Sequence, residues 1–208
     1  MEIFSGDGLE TLIKTAGLVG LFAIVFAESG LLIGFFLPGD SLLFTAGFLA
    51  SQGFFNIALL LIVTFFAAVL GDSVGYTFGK KVGKKLFTRD DSLFFKKANL
   101  LKAQEFYKKY GVKTIVLARF IPIVRTFAPI VAGAGDMRYK TFVSYNVIGG
   151  LLWTAGMTLG GFFLGSIIPD VDKYLLPIIL LIIFFSVLPP IVEIIKERIK
   201  KKKEASVA

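Results

Sequence analysis

Long uncharged stretches dominate this chain, and they predict helices that lie in a membrane. Hydrophobic residues make up 55% of the 208 residues, and the mean hydropathy is +0.78, whereas a soluble domain is about 45–50% apolar. The uncharged stretches long enough for a spanning helix of about 20 residues are Ser41–Gly71, Thr141–Pro169 and Tyr174–Val192. The sequence therefore predicts an all-α, polytopic membrane protein with about three to four transmembrane helices.

Two further apolar stretches, Ala16–Leu37 and Thr114–Gly135, contain charged side chains. The charged residues within or beside the apolar stretches are Glu28, Asp40, Asp72, Arg119 and Arg125. Each charge at the bilayer centre costs about 2.5–3.5 kcal/mol, so unpaired they would cost roughly 12–17 kcal/mol together. Because charges at membrane depth mark substrate or ion paths, we expect these groups to pair, to contact water or to bind a polar ligand.

Basic residues predict which loops face the cytoplasm. Lys80–Lys113 holds eleven basic and three acidic residues, and the tail from Glu193 holds six basic and three acidic. Cytoplasmic loops of membrane proteins carry such an excess of Lys and Arg. If both segments are cytoplasmic, the two predicted helices after Thr141 cross the membrane once in each direction and end on the side where they began. Thr114–Gly135 must then enter the membrane from the cytoplasm and return to it.

Proline and glycine make such returning hairpins feasible, since they interrupt helices. The expected hairpin breakers are Pro38, Gly39, Pro122 and Pro129. We place the bend of the second hairpin near Pro122–Arg125. In the first half, Ser41–Gln52 is too short to span, so Ala16–Leu37 either forms a hairpin from outside or spans before a dip. The side of the N-terminus stays open. Two hairpin-plus-helix halves with opposite entry sides predict a pseudo-inverted repeat.

The predicted organisation is one membrane domain, residues 1–208. Its parts are a first half (16–83), a basic cytoplasmic amphipathic segment (84–113), a second half (114–169), a C-terminal transmembrane helix (174–195) and a basic tail (196–208). The basic segment Lys80–Lys113 and the tail are expected to contact an anionic lipid surface. The C-terminus is expected to be cytoplasmic, in a plasma or inner membrane.

Missing residue types exclude several kinds of chemistry. The chain contains no Cys and no His, which excludes disulfides, thiol nucleophiles and a Ser-His-Asp centre. Proton coupling near neutral pH would have to use carboxylates rather than imidazole. We expect no metal, no cofactor, no nucleic-acid partner and no enzymatic activity.

The charged residues suit an anionic ligand. Arginine binds phosphate bidentately and stays charged at any relevant pH, and a bend at Pro122 would let Arg119 and Arg125 converge. We expect these arginines to meet Glu28 and Asp40 in one polar chamber. Two salt bridges without a ligand remain an alternative. Asp40 could also cap a helix beginning at Ser41.

Glycine and aspartate define a second motif. Gly71, Gly75, Gly79 and Gly83 recur every four residues, and such a bare helix face permits close packing in a membrane. Asp72 beside it is either a polar residue solvated from the cytoplasm or part of the charged chamber.

Three segments together resemble the DedA family of bacterial membrane proteins, within the wider VTT group. They are Glu28 with Pro38-Gly39-Asp40; Gly71-Asp72-x-x-Gly75-Tyr76; and Arg119-Phe120-x-Pro122-x-x-Arg125-x-x-x-Pro129, followed by Asn146 and Trp153. The resemblance covers roughly 17–165. It implies two re-entrant hairpins, an essential acidic pair at Glu28 and Asp40, and an essential basic pair at Arg119 and Arg125. Asp72, Tyr76 and Asn146 are accessory candidates.

The resemblance also implies a function in lipid transport, driven by proton motive force, with undecaprenyl phosphate as the implicated substrate. We therefore expect a lipid transporter or flippase in which the arginines hold the phosphate headgroup and the carboxylates couple to protons. A small-cation/proton antiporter is the alternative. A polyprenyl-lipid phosphatase built on Glu and Arg is a third.

Overall fold

A computed structural model describes residues 6–31, 39–83, 111 and 113–167, and every regular element in these ranges is helical. The elements are α1 (Gly6–Gly30), α2 (Gly39–Ser51), α3 (Ile57–Phe78) with a π-helical turn (Gly79–Gly83), α4 (Thr114–Ala118), α5 (Pro122–Ala134) and α6 (Tyr139–Ile167). Pro38, most of the basic segment, the predicted helix at 174–195 and the tail lie outside the described residues.

Two helices are long and apolar enough to cross a membrane. They are Ile57–Val82, which comprises α3 and most of the π-helical turn, and α6, Tyr139–Ile167. Asn56 begins α3 as its N-cap, because its side chain accepts a hydrogen bond from the Leu59 N–H at 3.1 Å, which pairs one of the free amides of the first turn. The expected all-helical fold is confirmed for the described residues, and the two long apolar helices are consistent with a membrane protein. The third predicted helix, Tyr174–Val192, lies outside the described part of the chain.

Two other apolar helices, α2 and α5, are too short to span. Each has 13 residues, or about 20 Å of helix against the roughly 30 Å of a hydrocarbon core. Both end in the same way. The second residue after α2, Gly53, has φ +79° and donates its N–H to the Ala50 carbonyl. The second residue after α5, Asp136, has φ +56° and donates to the Gly133 carbonyl. Both are Schellman-type endings.

Each short helix packs against the long helix of the other half of the chain. α2 lies along α6, where a Cβ added at Gly47 or Gly161 would collide with the partner backbone. α5 lies along α3, where a Cβ at Gly79 would collide with the backbone of Ile130. Glycine therefore permits the close approach at both interfaces, and the packing role expected for the glycine face of α3 is found at Gly71, Gly75 and Gly79.

The two short helices begin close together and end at opposite ends of α3. A turn of five residues, 52–56, joins the end of α2 to the start of α3. The end of α5 lies instead beside the end of α3, since Gly133 approaches Tyr76 and Lys80. Their beginnings meet, because Asp40 in the first turn of α2 contacts Arg125 in α5. The N-terminal ends of both helices therefore point at one site.

Three local expectations are wrong. The turn between α4 and α5 lies at 119–121, before the expected position near Pro122–Arg125, because Pro122 begins α5, where its missing N–H costs nothing. Pro129 lies inside α5 and does not break it; its ring packs near Gly75. Asp40 is not the N-cap of α2, since the helix begins at Gly39.

Candidate functional site

Arg125 is the centre of a buried ion cluster. Its guanidinium contacts the Glu28 carboxylate of α1 and lies 2.6 Å, from Nη1 to Oδ1, from Asp40 of α2. Glu28 is completely buried, Arg125 is 9% exposed, and the Asp40 side chain is 35% exposed. Three of the four predicted site residues therefore meet, and Asp40 is the member through which the cluster reaches its surroundings.

Glu28 occupies the N-terminal end of α2. Its Oε1 accepts a hydrogen bond from the Gly39 N–H at 3.1 Å, and a Cβ at Gly39 would collide with the carboxylate. A carboxylate is favoured there because the first N–H groups of a helix are unpaired and carry partial positive charge. Within the described residues, Glu28 Oε2 has no hydrogen-bond partner.

Trp153 completes this cluster from α6. Its Nε1–H donates to Asp40 Oδ1 at 2.7 Å, and the Arg125 Cζ lies 4.9 Å from the centre of its ring. Trp153 is the central residue of the 29-residue helix α6 and is only 1% exposed. One side chain therefore holds both the acid and the base of the ion pair.

Arg119 belongs to a second cluster. Its Nη2 lies 2.6 Å from Asp72 Oδ2 and also donates to Asn146 Oδ1. Asn146 in turn donates to the Val69 carbonyl at 3.0 Å, so it connects α6 to α3. Arg119 and Asp72 are each 4% exposed. The alternative that Asp72 is solvated from the cytoplasm is therefore wrong.

The two clusters share one face of α6. Asn146 and Trp153 are seven residues apart, which is two turns or about 10 Å along the axis. Between them, Gly149 and Gly150 leave room for the Arg119 side chain, which would lie 3.0 Å from a Cβ at Gly149. The expected single chamber is thus two neighbouring ion clusters, and Arg119 does not pair with Glu28 or Asp40.

Tyr76 lies outside both clusters. Its hydroxyl donates to the Met137 carbonyl, and its ring stacks on Phe142 with 4.6 Å between ring centres. These contacts connect the end of α3 to the turn between α5 and α6.

Among the described residues, no group of three or more acidic side chains is placed to hold a metal ion.

Comparisons with known proteins place the chain in a family. The VTT domain matches residues 37–169. The chain is 49% identical over 180 residues to the protein DedA of Escherichia coli (strain K12), covering 86% of this chain and 82% of that protein. This chain belongs to the DedA family of VTT-domain membrane proteins.

More distant relatives agree with this assignment. An uncharacterized membrane protein of Mycobacterium tuberculosis (strain ATCC 25618 / H37Rv) is 45% identical over 187 residues, which cover 89% of this chain and 82% of the relative. The inner membrane protein YqjA of Escherichia coli (strain K12) is 33% identical over 171 residues, covering 78% and 77%. No solved structure matches the chain.

Two side-chain roles in this DedA-family chain are not predicted by its sequence. Trp153 and Asn146 belong to the segment that resembles the family, but that resemblance assigns them no contacts. Their spacing of seven residues on an uncharged helix is the signal that could have paired them, since it puts both on one face. The match of Arg119 to Asp72 depends on the packing of both α4 and α3 against α6, which no local pattern encodes.

Proposed function

We propose that this DedA-family protein transports an anionic lipid, undecaprenyl phosphate or a related phospholipid, across a bacterial cytoplasmic membrane. The observation that carries the proposal is Arg125, a buried guanidinium between two carboxylates where the beginnings of α2 and α5 meet. Helix N-termini and arginine both favour phosphate. Broken helices that point their N-termini at an anionic substrate near the midplane occur in secondary transporters.

The proposal places α2 and α5 in the membrane as re-entrant helices from opposite sides. Their length, their apolar character and their endings at opposite ends of α3 support this placement. With α6 spanning, its central residue Trp153 sets the ion cluster of Arg125 at mid-depth. The exchanged packing of α2 on α6 and of α5 on α3 supports a pseudo-inverted repeat, and the C-terminus then lies on the cytoplasmic side.

Headgroup binding in this proposal begins with competition between anions. In the described arrangement Glu28 supplies the negative charge that faces Arg125 and the Gly39 N–H. A lipid phosphate offers more acceptor oxygens to the same donors. When Glu28 or Asp40 takes up a proton, its hold on Arg125 weakens and the phosphate replaces it.

The charge balance of the site couples this exchange to protons. Glu28, Asp40 and Asp72 carry three negative charges and Arg119 and Arg125 two positive ones, so the five groups sum to −1. An anionic headgroup entering this site would add to a negative balance in a medium of low dielectric constant, where like charges repel strongly. One bound proton removes the excess. Protons and headgroup therefore move together, and proton motive force drives the cycle.

Arg119 supports the same step from the second cluster. It uses Nη2 for its contacts, and its buried Nε–H has no partner among the described residues. It therefore keeps a donor for a phosphate that moves past Arg125. The lipid tail stays outside, against the apolar surface of α3, where Ile62, Phe66 and Leu70 are about half exposed.

The proposal is tested by translocation of lipid phosphate in proteoliposomes with an imposed proton gradient. Arg125→Ala should reduce translocation to the rate of protein-free vesicles, and Lys140→Ala, an exposed charge away from the site, should leave it unchanged. Equal rates for wild type and Arg125→Ala, with both proteins folded, would refute the assignment. The lipid should be recovered unchanged; release of phosphate would indicate the phosphatase alternative.

A small-cation/proton antiporter is the second candidate. The charge balance of −1 favours it, and so does Glu28 Oε2, which has no hydrogen-bond partner among the described residues. Its signature is cation flux in vesicles that contain no lipid phosphate. Cation flux in wild type that persists without lipid phosphate, and that Glu28→Gln abolishes, would replace the lipid proposal.

A further inference from the structure

We propose that Trp153 is a positioning residue that reports and controls the exchange of partners at Arg125. In this proposal the indole N–H holds the Asp40 carboxylate and the ring face holds the Arg125 guanidinium. The proton response of the site then depends on Trp153. This inference rests on the proposed function for its transport consequence, but the contact between Trp153 and Asp40 can be tested without transport.

The contacts of Trp153 fix the orientation of its indole ring. The indole has one polar group, its Nε1–H, and Asp40 accepts from it at 2.7 Å. The ring face below Arg125 carries the negative end of the aromatic quadrupole, which attracts a cation within about 6 Å. The rest of the ring packs with Val25, Leu43 and Ala67 in an apolar cluster. The indole is therefore fixed, and Asp40 and Arg125 are oriented by it.

The charged groups that face Asp40 come from several helices. Arg125 of α5 contacts it directly, and Glu28 of α1 shares that arginine. From α3, Asp72 pairs with Arg119 and not with Asp40. A proton on Asp40 removes the charge that Trp153 and Arg125 both hold. The indole hydrogen bond then weakens, because bonds to charged acceptors are about twice as strong as neutral ones, and Arg125 becomes available to a phosphate.

The chain provides its own probe of this event, since Trp153 is its one tryptophan. The experiment titrates the intrinsic fluorescence of the full chain in nanodiscs of zwitterionic lipid, with Trp153→Phe as the blank. We expect a pH-dependent change in emission in the wild type. Asp40→Asn should remove most of its amplitude, whereas Asp72→Asn, which neutralises the carboxylate of the other cluster, should retain it.

The same fluorescence titration can overturn the inference. A wild-type emission that does not respond to pH, or a response of equal amplitude in Asp40→Asn, shows that Trp153 does not sense Asp40. This outcome is independent of any lipid. By contrast, a normal titration in a protein that fails to move lipid phosphate would overturn the proposed function and leave the link between Trp153 and Asp40 in place.

The transport consequence is tested with Trp153→Phe, which retains a ring face and loses the N–H. Without that donor the Asp40 carboxylate is less stabilised, so the pH of half-maximal translocation should rise by roughly one to two units. Phe48→Leu is the matched control, because Phe48 is a buried aromatic of α2 that packs at Gly165 of α6. It alters the same interface without contacting a charge and should leave that pH unchanged.

A double variant separates positioning from general damage to the fold. In Asp40→Asn the acceptor of the indole N–H no longer titrates, so adding Trp153→Phe should cause no further shift in the pH of half-maximal translocation. An unchanged pH in Trp153→Phe alone, or a shift of equal size in both backgrounds, would refute a role that acts through Asp40.

Discussion

The two buried arginines in the described part of the chain, Arg119 and Arg125, are both ion-paired, yet their surroundings differ in charge, partners and exposure. Arg125 faces two carboxylates and an aromatic ring, and one of its partners, Asp40, is 35% exposed. Arg119 faces one carboxylate and an amide, and both it and Asp72 are almost fully buried. The first cluster holds an excess negative charge that a proton can remove. The second is neutral and closed.

This difference indicates different roles for the two clusters. The Arg125 cluster acts as a switch, whose ion-pair partners change, and the Arg119 cluster acts as a fastener, which holds neighbouring helices together. A buried pair with matched charge changes little when a proton or an anion arrives nearby, because its own charges already compensate each other. A cluster with unmatched charge must change when either arrives. We therefore infer that the Arg125 cluster exchanges ligands, while the Arg119 cluster mainly fixes the turn after α4 between α3 and α6.

The largest expected effect is that of Arg125→Ala. It leaves Glu28 and Asp40 without their cation, and breaking a buried pair in this way costs about 3–5 kcal/mol. Translocation should fall to background, at least about a hundredfold, because the headgroup loses two charge-assisted hydrogen bonds of about 1.5–3 kcal/mol each. Translocation and thermal unfolding in detergent measure the two effects. Arg125→Lys should recover part of the stability and little of the transport, because lysine lacks the bidentate fork. Full transport by the lysine variant would contradict a phosphate-binding role.

The second prediction concerns the pH dependence of lipid binding and tests which of the two clusters takes up a proton. If one proton enters with each headgroup, linkage strengthens binding of lipid phosphate by at most about tenfold for each unit that the pH falls. The sign follows from the balance of −1, because the protonated site is the one that accepts an anion. Glu28→Gln combined with Asp40→Asn should make binding independent of pH. Asp72→Asn should leave the dependence in place; loss of the pH dependence in that variant would move the proton site to the Arg119 cluster.

The third prediction tests whether Arg119 is a fastener. Arg119→Ala leaves Asp72 buried and unpaired, which should destabilise the fold by about 3–5 kcal/mol. Replacing both partners by leucine should restore most of the thermal stability, because well-packed apolar residues often substitute for a buried ion pair. Translocation by this double variant should be reduced far less than by Arg125→Ala. A stable double variant with background translocation would show that headgroup binding needs Arg119 as much as Arg125, and would contradict a mainly structural role for Arg119.

The same comparison shows what the sequence could predict. Uncharged stretches and breakers were enough to predict the helical architecture, the short α2 and the close glycine contacts, because these depend on local composition and helix periodicity. They were also enough to select Glu28 and Arg125 as functional candidates, since an unpaired charge among apolar residues is costly. Which acid pairs with which base could not be predicted, because Asp72 and Arg119 are 47 residues apart and meet only through packing.

Among the sequence features, proline was the least reliable predictor of where a helix is interrupted. Pro122 begins α5 directly after the turn at 119–121, where a helix breaker is expected, whereas Pro129 lies inside α5 and does not interrupt it. The first turn of a helix tolerates proline because its N–H would be unpaired in any case. Inside a membrane helix, neighbouring helices can compensate the missing hydrogen bond, and Pro129 packs near Gly75 of α3. The effect of a proline thus depends on tertiary neighbours that its local sequence does not contain.

The smallest expected effects come from glycines that make room for each cluster. A Cβ at Gly39 would collide with the Glu28 carboxylate, whereas one at Gly150 would come within 3.0 Å of a Val69 methyl group and 3.6 Å of Arg119 Nη2. Gly39→Ala must therefore displace Glu28 from the N-terminus of α2, and Gly150→Ala requires a shift of a few tenths of an ångström. We expect Gly39→Ala to lower translocation several-fold and to change its pH dependence, since the displaced carboxylate loses a helix-terminal contact that stabilises its charge by about 0.3–1 kcal/mol.

Gly150→Ala should change neither translocation nor its pH dependence beyond about twofold, because the roughly 1 kcal/mol gained in helix propensity offsets the tight contact. Gly156→Ala in the same helix meets no atom of the described residues within 4 Å and serves as the control. Equal effects at Gly39 and Gly150 would show that the two clusters respond alike, and the distinction between switch and fastener would then fail.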